Sequence, residues 1–463
     1  MKRIMIFCIP AHGHTNPILP VAKELVSRGD AVRFYSFDEF RDKIVQTGAE
    51  FISCDRFLSK LSAQEEENMK NVNITEMSIQ DIRITIKMTG FLDSEYKTFQ
   101  PDAVYSDSAC FWGKLSAWKH HVPLVVSTST FAFNQMSSQY MKNTPKEIAA
   151  LIFGLPRVQK EFRKLKSYGY EAKGFLSLVQ SDNKTDSVVY TSKRFQPYAE
   201  CFSDRYAFVG PSVFSERTPE KRSRPLVYIS LGTVINERPD FYSRCIEALR
   251  NEPVDVIISC GKALDVRTLG ALPENVSVFP YVNQLDVLAE TSVFITHCGM
   301  NSVSESLYMA SPMVLYPQTN EQYAVARRAA EMGAGELLKD DSAAGIRDAV
   351  LNILQHGEYA EAAKKCSEDF RACSGAKGAA DHIENAPHSS AGKDVIKALN
   401  RAVTAEQIIF NVLVILLACI LFRIISIKYL WIYIAASVLL SAPLKTLFQQ
   451  MYYQKLTAGA QKE

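Results

Sequence analysis

The stretch from Phe294 to Ala310 has the layout of a strand, a tight turn and a helix start. The β-rich run 293–296 is followed by Gly299, which allows a tight turn, and then by Asn301 and Ser302, which are good N-cap residues. Such a unit gathers free backbone N–H groups and the positive end of a helix dipole around one point. The stretch therefore predicts an anion-binding site where this helix begins.

Side chains in the same stretch could extend that site from an anion to a nucleotide. His297 and Ser302 would donate hydrogen bonds to a diphosphate, and Glu305, one turn into the helix, could accept bonds from two ribose hydroxyls. Each feature alone is common, because most helices begin with Ser or Asn. The whole string is uncommon, and it predicts a nucleoside diphosphate site.

A second candidate pair, His14 and Asp107, could move a proton. His14 follows the predicted first strand, Ile4–Ile9, just before a helix start, where ligands of open α/β sheets bind. An imidazole, with its ordinary pKa of about 6.5, can take a proton from a hydroxyl at neutral pH. Asp107 also ends a strand and could orient His14 through its other ring nitrogen, although it could instead be a helix N-cap. We interpret His12 as a loop histidine and place Asp102 at the opposite edge of the sheet.

The elements that must position these residues alternate between strand and helix. The strand patterns 4–9 and Ala31–Tyr35 flank a helix pattern, Pro17–Ser27, and this βαβ opening predicts a parallel sheet. A charged, Pro-flanked linker, 216–224, precedes a second series. The strands predicted in that series are 226–231, 254–259, 276–279, 293–296 and 313–316. We therefore predict an α/β fold of two doubly wound domains facing a cleft.

Composition narrows the class of protein. The chain has 463 residues, with 52 Lys and Arg against 50 Asp and Glu, so nothing indicates a nucleic-acid surface. Its ten cysteines form no CxxC pair, which favours buried free thiols in a reducing compartment over disulfides or a zinc site. The apolar N-terminal run breaks at Pro10 and predicts a buried strand rather than a signal peptide.

Two apolar runs near the C-terminus, 408–422 and 429–444, predict a hydrophobic helical hairpin. Each run is slightly shorter than the roughly 20 residues that a spanning helix prefers. Flanking residues such as Arg423 and Lys428 can snorkel to the interface. We expect a transmembrane hairpin over 405–447, because the runs lack the polar face of a surface helix. The alternative is a buried hairpin packed on the protein or on a dimer partner.

The string His297–Ser302, with Glu305, Pro312–Pro317 and the pair Glu321-Gln322, resembles the donor-binding signature of the family-1 UDP-glycosyltransferases. The similarity is greatest to the bacterial macrolide and flavonoid glycosyltransferases and covers roughly residues 1–385. The resemblance implies the GT-B architecture, in which two Rossmann-like domains face a cleft and the last helix crosses back onto the first domain.

This architecture gives the predicted boundaries of the chain. An acceptor-binding domain would span 1–214 and a nucleotide-sugar-binding domain 225–385. A linker at 386–404, the hairpin at 405–447 and a polar tail at 448–463 would follow.

The resemblance also implies a role for each matching residue. His14 matches the catalytic histidine of the family and Asp107 its acidic partner. The implied donor-binding residues are Ser230, Gly232, Thr233, Tyr281, Val282, Gln284, His297, Gly299, Asn301, Ser302, Glu305, Glu321 and Gln322. Tyr281 replaces the tryptophan that stacks on uracil, and Asn283 replaces a proline, so UDP and dTDP both stay open. The Ser230–Thr233 segment could equally be a simple turn.

The implied reaction is an inverting, metal-independent transfer of a hexose, with UDP-glucose as the expected donor, to a hydroxyl of a small lipophilic acceptor. No Asp-x-Asp pair is present, so no metal is expected; the helix dipole and His297 would neutralise the leaving group. No other cofactor is expected. The catalytic domains would face the cytoplasm, where sugar nucleotides are made. Alternatives are a membrane-lipid glycosyltransferase, a non-catalytic membrane-anchored subunit and a sugar-nucleotide epimerase.

Overall fold

The structure is a computed structural model that describes most of the chain as far as residue 388. The described residues are 1–58, 74–142, 144–171, 178, 184–213, 217–220, 222–388, 449–451, 453 and 454.

A parallel seven-stranded sheet forms the core of the first domain, with the order β3-β2-β1-β4-β5-β6-β7. Its strands are β1 (Arg3–Phe7), β2 (Ala31–Ser36), β3 (Glu50–Ser53), β4 (Ala103–Asp107), β5 (Leu124–Thr128), β6 (Asp186–Val189) and β7 (Tyr206–Phe208). In the register, Phe7 pairs with Ser106 and Asp107 pairs with Ser127, so the carboxyl ends of β1, β4 and β5 lie side by side. The predicted parallel sheet is confirmed.

The helices of the first domain cover both faces of this sheet. They are α1 (His12–Ser27), α2 (Arg41–Val45), α3 (Ile74–Phe99), α4 (Phe111–Lys119) and α5 (Pro145–Leu165). Helix α1 buries Ile18, Val21 and Leu25 in a core that includes Ile4 and Ile6 of β1. It begins five residues before the predicted Pro17, so His14 lies in its first turn and not ahead of it. Both Pro17 and Pro20 lie inside α1, beyond its first turn, so Pro17 does not mark the boundary.

A parallel six-stranded sheet forms the second domain, with the order β10-β9-β8-β11-β12-β13. Its strands are β8 (Leu226–Ser230), β9 (Asp255–Ser259), β10 (Val276–Phe279), β11 (Val293–Thr296), β12 (Met313–Leu315) and β13 (Gly335–Leu337). Its helices are α6 (Pro239–Leu249), α7 (Gln284–Glu290), α8 (Met300–Tyr308), α9 (Asn320–Glu331), α10 (Ala343–Gln355) and α11 (Glu358–Arg371). Both sheets are doubly wound, as the alternation of strands and helices predicts.

The last described helix of this region, α12 (Gly375–Glu384), packs on the first domain. Its Ala380 and Ile383 are fully buried in the same core as Ile4 of β1. Arg28, just after α1, donates to the carboxylates of Asp381 and Glu384, each at 2.6 Å. Although α12 follows the second domain in sequence, it therefore joins the first domain in space.

The predicted linker beyond residue 388, the hairpin at 405–447 and most of the tail lie outside the described residues. Within the part of the chain that the structure describes, no helix has both the length and the apolar character needed to cross a bilayer. The described residues form two compact units, of which the first, 1–197 with 205–388, holds both sheets. In the second, the Tyr453 hydroxyl donates to Glu200 at 2.5 Å.

Candidate active site

His14 and Asp107 lie together at the carboxyl edge of the first sheet. Nδ1 of His14 is 2.8 Å from Oδ2 of Asp107. Asp107 is fully buried as the last residue of β4, whereas 30 % of the His14 side chain is exposed. Because Nδ1 is held by the carboxylate, Nε2 is the ring nitrogen left to take a proton. The other Asp107 oxygen accepts a bond from the Ala109 amide at 2.9 Å, so Asp107 also shapes the turn after its strand.

The surroundings of His14 raise its basicity. Burial lowers the pKa of the imidazole, but the charge of Asp107, its hydrogen bond and the charge of Glu321 outweigh burial and raise the pKa from 6.5 to about 9. The neutral ring is therefore a strong base, although most His14 side chains are protonated at pH 7. The two histidines of this segment differ, because His12 pairs with Glu39 at 3.1 Å instead.

Ser129 joins this pair, and the sequence interpretation missed it. Its Oγ lies 3.2 Å from Nδ1 of His14. Ser129 directly follows β5, which neighbours β4 in the sheet. The only indication in the sequence is that Ser129 carries a hydroxyl and follows a predicted parallel strand. Serine is so frequent in such loops that this position alone does not identify Ser129 as a site residue.

The turn after β11 has the predicted strand–turn–helix form, with two differences in detail. The left-handed residue is Cys298, at φ 66°, and not Gly299. Helix α8 begins at Met300 with Gly299 as its N-cap, so Asn301 and Ser302 lie inside the first turn. The predicted N-cap residues, Asn301 and Ser302, therefore lie two and three positions beyond the actual N-cap. The amide groups of the first turn still lack helical partners and can face an anion, as expected.

Glycine at 299 is explained by its closeness to the His297 ring. A Cβ atom at Gly299 would lie 2.6 Å from Nε2 of His297, and one at Gly232 would lie 2.5 Å from the same atom. Two glycines from different loops thus pack against this one imidazole. Burial lowers the pKa of His297 to about 4, so the ring is neutral at pH 7. It can donate a hydrogen bond to a phosphate, and its part in neutralising the leaving group stays a prediction, because a bound diphosphate would itself raise the pKa of the ring.

Glu305 and Gln284 are also brought together. The Gln284 amide donates to Oε2 of Glu305 at 2.6 Å, and its oxygen accepts from the Tyr228 hydroxyl at 3.2 Å. Burial raises the pKa of Glu305 to about 6, so the carboxylate is mostly charged at pH 7. Gln284 was predicted to touch the nucleotide; the structure gives it the additional task of orienting Glu305.

The remaining residues predicted to surround the base and phosphates differ in exposure. Tyr281 is 74 % exposed, so its ring is open for stacking, and Val282 is half-buried beside it. Ser230 is buried and accepts a bond from the Gly232 amide at 3.3 Å, whereas Thr233 is exposed. Residue Gly232 has φ +77°, a conformation that favours glycine.

Glu321 and Gln322 begin helix α9 and have different environments. The Gln322 side-chain oxygen accepts from the amides of Gln318 and Thr319 and so closes a capping box. That oxygen is occupied, which leaves the amide nitrogen for a sugar hydroxyl. Glu321 is exposed and close enough to His14 for its charge to raise the pKa of His14. The predicted sugar site thus adjoins the predicted base.

Asn301 connects the two domains at this point. Its side-chain amide donates to the carbonyl oxygen of Gly13 at 3.1 Å. Gly13 precedes His14 in the first turn of α1, and Asn301 is in the first turn of α8. The His14–Asp107 pair and the turn before α8 therefore face each other across a short cleft.

One group of possible metal ligands exists among the described residues, and it lies away from this cleft. It comprises Asp186, His382 and His388. Asp186 begins β6, at the sheet edge opposite His14. The two imidazoles are stacked at 4.0 Å and 10°, so their lone pairs do not converge, and Arg205 bonds to Asp186 at 3.2 Å. We therefore interpret this cluster as side-chain packing and not as a metal site.

Replacing Gly232 with alanine is expected to weaken nucleotide binding at least tenfold, because the new methyl would displace the His297 ring as well as strain the backbone. Calorimetry with UDP measures the effect. Gly270→Ala is the matched control, since Gly270 has φ +76° but nothing within 4 Å of an added Cβ. Equal losses in both variants would show that strain alone, and not His297, governs binding.

Comparison with known proteins identifies the family. Residues 219–370 match the family model described as UDP-glucoronosyl and UDP-glucosyl transferase. The chain is 33 % identical over 393 residues to NDP-glycosyltransferase YjiC of Bacillus licheniformis, covering 83 % of this chain and 97 % of the relative. It is 31 % identical over 406 residues to demethyllactenocin mycarosyltransferase of Streptomyces fradiae, and the match covers 83 % of this chain and 86 % of that relative.

Solved structures agree with the sequence comparison. The glycosyltransferase of kitacinnamycin is 25 % identical with a TM-score of 0.69, over 83 % of this chain and 98 % of that one. The calicheamicin glycosyltransferase CalG4 is 25 % identical with a TM-score of 0.64, and the match covers 84 % of this chain and 100 % of that one. The predicted GT-B architecture is thereby confirmed for the two sheet domains. The chain belongs to the UDP-glucosyl transferase family, in the branch of YjiC, and is a glycosyltransferase that takes its sugar from a nucleotide-sugar donor.

Proposed function

We propose that the protein transfers a hexose, glucose in the first instance, from a UDP-sugar to a hydroxyl of a small lipophilic acceptor, with inversion at the anomeric carbon. The observation that carries this proposal is the His14–Asp107 pair, with its 2.8 Å hydrogen bond, facing the anion-binding turn of α8. An oriented base beside a diphosphate site is what a direct displacement requires.

In the proposed reaction, Nε2 of His14 removes the proton of the acceptor hydroxyl. The acceptor oxygen attacks the anomeric carbon from the side opposite the diphosphate, and the bond from that carbon to the diphosphate oxygen breaks. The proton stays on His14, where Asp107 stabilises the imidazolium, and UDP leaves with the bonding electrons. One displacement inverts the configuration, so an α-linked donor gives a β-glycoside.

Departure of the diphosphate is assisted by hydrogen-bond donors. The first-turn amides of α8 and the positive end of its dipole would receive the developing charge, and neutral His297 would add one N–H donor. These groups can take the place of a bridging cation, which supports a metal-independent transfer.

The names of relatives support the substrate classes. The matching family model is named for UDP-glucoronosyl and UDP-glucosyl transfer, and a relative from Bacillus subtilis, 30 % identical, is named uncharacterized UDP-glucosyltransferase YojK. Other relatives are named for demethyllactenocin and for oleandomycin. We therefore favour UDP-glucose as the donor and a small hydroxylated molecule as the acceptor.

The test is a mass-spectrometric screen of the purified protein with UDP-glucose, UDP-galactose, UDP-glucuronate and dTDP-glucose against a panel of lipophilic alcohols and phenols. A product heavier than the acceptor by one hexose, formed with UDP-glucose and without added metal in the presence of a chelator, is expected. A product from dTDP-glucose alone would reassign the donor. Transfer that depends on a divalent ion would refute the metal-independent reaction.

Two substitutions separate the contacts to phosphate and ribose. His297→Ala is expected to weaken UDP binding about 10–100-fold and to leave uridine affinity nearly unchanged, because a hydrogen bond to a charged group is lost. Glu305→Ala should weaken both ligands, since both carry the ribose. For the wild-type protein, uridine affinity should fall as the pH drops through about 6 and Glu305 becomes protonated. Calorimetry measures all of these affinities, and equal losses for both ligands in His297→Ala would contradict the phosphate contact.

We also propose that residues 405–447 anchor the protein in a membrane with both sheet domains in the cytoplasm. The apolar runs 408–422 and 429–444 support this proposal. Removing residues 400–463 should release the protein from membranes and preserve transfer to soluble acceptors. Cell fractionation of both chains is the measurement, and full-length protein in a high-speed supernatant without detergent would disprove the anchor.

A further inference from the structure

Helix α5 (Pro145–Leu165) has one buried and one exposed face. Val158, Phe162 and Leu165 are buried against α3 and α4. Phe153 points the other way and is 80 % exposed, the largest exposure of any described aromatic residue in the chain. An apolar ring held in water without covering side chains is a cost that a binding partner can remove.

Basic residues extend from Phe153 along the same face toward the C-terminal end of α5. Arg157, Lys160 and Lys164 follow it by four, seven and eleven residues, a spacing that places all of them along one side of a helix. All three are exposed, and so are Arg163 and Lys166 nearby. The whole chain carries a formal net charge of only +2, so the positive charge is concentrated on this face of α5 and is not a general property of the surface.

Acidic residues neutralise only part of this face. Arg157 pairs with Glu76 at 2.5 Å and Lys164 with Glu161 at 2.8 Å. Neither Lys160 nor Arg163 forms an ion pair with any residue that the structure describes. An aromatic ring within a positively charged stripe therefore remains open to an anionic partner.

We propose that this face of α5 docks on an anionic lipid surface, with Phe153 in the interfacial region and the basic side chains on phosphate headgroups. Aromatic rings favour the boundary between headgroups and acyl chains, and each Lys or Arg near an anionic leaflet adds attraction. A purely polyanionic partner would account for the charges but would leave Phe153 in water. Long Lys and Arg stems also let the charges reach headgroups while the helix lies flat.

The contact area is small, so the docking is weak and reversible by itself. Its effect is to orient the first domain relative to a bilayer, which suits acceptors that dissolve in the membrane. The docking does not depend on the proposed donor or acceptor. Failure of the sugar-transfer proposal would therefore leave it standing, and its own failure would leave sugar transfer intact.

The test places a fluorescent reporter on this face of the full-length chain. Phe153→Trp is made in a Trp431→Phe background, which removes the tryptophan of the C-terminal apolar run. Vesicles contain brominated phosphatidylcholine, a short-range quencher, with or without phosphatidylglycerol. Quenching of the introduced indole is expected only with the anionic lipid. Leu272→Trp in the same background is the position control, because Leu272 is 37 % exposed in the second domain and should not be quenched.

The second part of the experiment reverses the charge of lysine residues on this face of α5. Lys160→Glu combined with Lys164→Glu should shift half-maximal quenching to a higher mole fraction of phosphatidylglycerol. Lys364→Glu with Lys365→Glu on α11, also exposed, makes the same change in net charge and should have little effect. Circular dichroism confirms that the variants are folded. The proposal is overturned if the indole at position 153 is quenched no more than the one at 272, or if both charge reversals act equally. It is also overturned if heparin binds this face while vesicles do not.

Discussion

Replacement of His14 by alanine is expected to lower the rate of sugar transfer about 10²–10⁴-fold, the usual loss when a general base is removed. UDP affinity should stay nearly unchanged, because His14 belongs to the first domain and, in the proposed reaction, takes its proton from the acceptor. The deficit should be larger with an aliphatic alcohol than with a phenol, whose lower pKa makes it less dependent on a base. Steady-state kinetics with both acceptors and calorimetry with UDP are the measurements.

His12→Ala is the matched control for this variant. His12 is two residues away in the same helical turn, but it pairs with Glu39 and has no bond to Asp107. It should retain transfer activity. Near-normal turnover of an aliphatic alcohol by His14→Ala would rule out His14 as the base, since no other histidine lies at Asp107 within the described residues.

Replacement of Asp107 by asparagine is expected to produce a loss that depends on pH. The fully neutral form of His14 should become at least about tenfold slower, because the imidazolium that forms loses its anionic partner. The pKa of His14 should also fall, since the charge and the hydrogen bond of Asp107 both raise it and burial lowers it. The substitution therefore slows the neutral form of His14 but increases the fraction of His14 that is neutral at a given pH.

The sign of the pH dependence comes from the direction of these shifts. In the proposed reaction the neutral imidazole is the base, so wild-type kcat/KM should rise with pH until about 9, the pKa of His14. In Asp107→Asn the same rise should occur at lower pH, and the variant should therefore be most impaired near pH 9 and less impaired near pH 6. A profile measured with a non-ionising acceptor tests this.

Asp102→Asn serves as the control for charge. Asp102 is half-exposed at the start of the strand and accepts a bond from the Arg3 amide, far from the carboxyl edge of the sheet. Its replacement should leave the pH profile unchanged. If Asp102→Asn is inactive while Asp107→Asn is normal, the wrong carboxylate has been assigned to His14.

Local periodicity and turn residues were sufficient to predict the two parallel sheets. Strand limits agree within a few residues, because buried parallel strands have continuous apolar sequences such as Ile4–Phe7 and Val293–Ile295. The parallel order also follows from the sequence, since alternating strands and helices leave little other choice. His14 and Asp107 could be paired on that basis alone, as residues ending adjacent strands.

The conformations of the loops could not be predicted in the same way, because several residue types can adopt the same backbone dihedral angles. The sequence assigned the tight turn to Gly299, whereas Cys298 takes the left-handed conformation and glycine is needed at 299 for the His297 ring. Likewise, Gln322 matched a sugar-binding pair, but its oxygen completes the capping box of α9. Such contacts involve atoms that are distant in sequence or that compete for one hydrogen bond.

The sequence by itself determined the fold class, the family and which residue types meet at the two strand ends, because periodicity and spacing are local properties of the chain. Only the tertiary structure decided how those residues act on one another. The bond from Asn301 to Gly13 joins segments 288 residues apart, and it holds the turn before α8 opposite His14. The pKa of His14 is high because the charges of Asp107 and Glu321 outweigh burial, and the pKa of His297 is low because of burial; both environments exist only once the chain is folded.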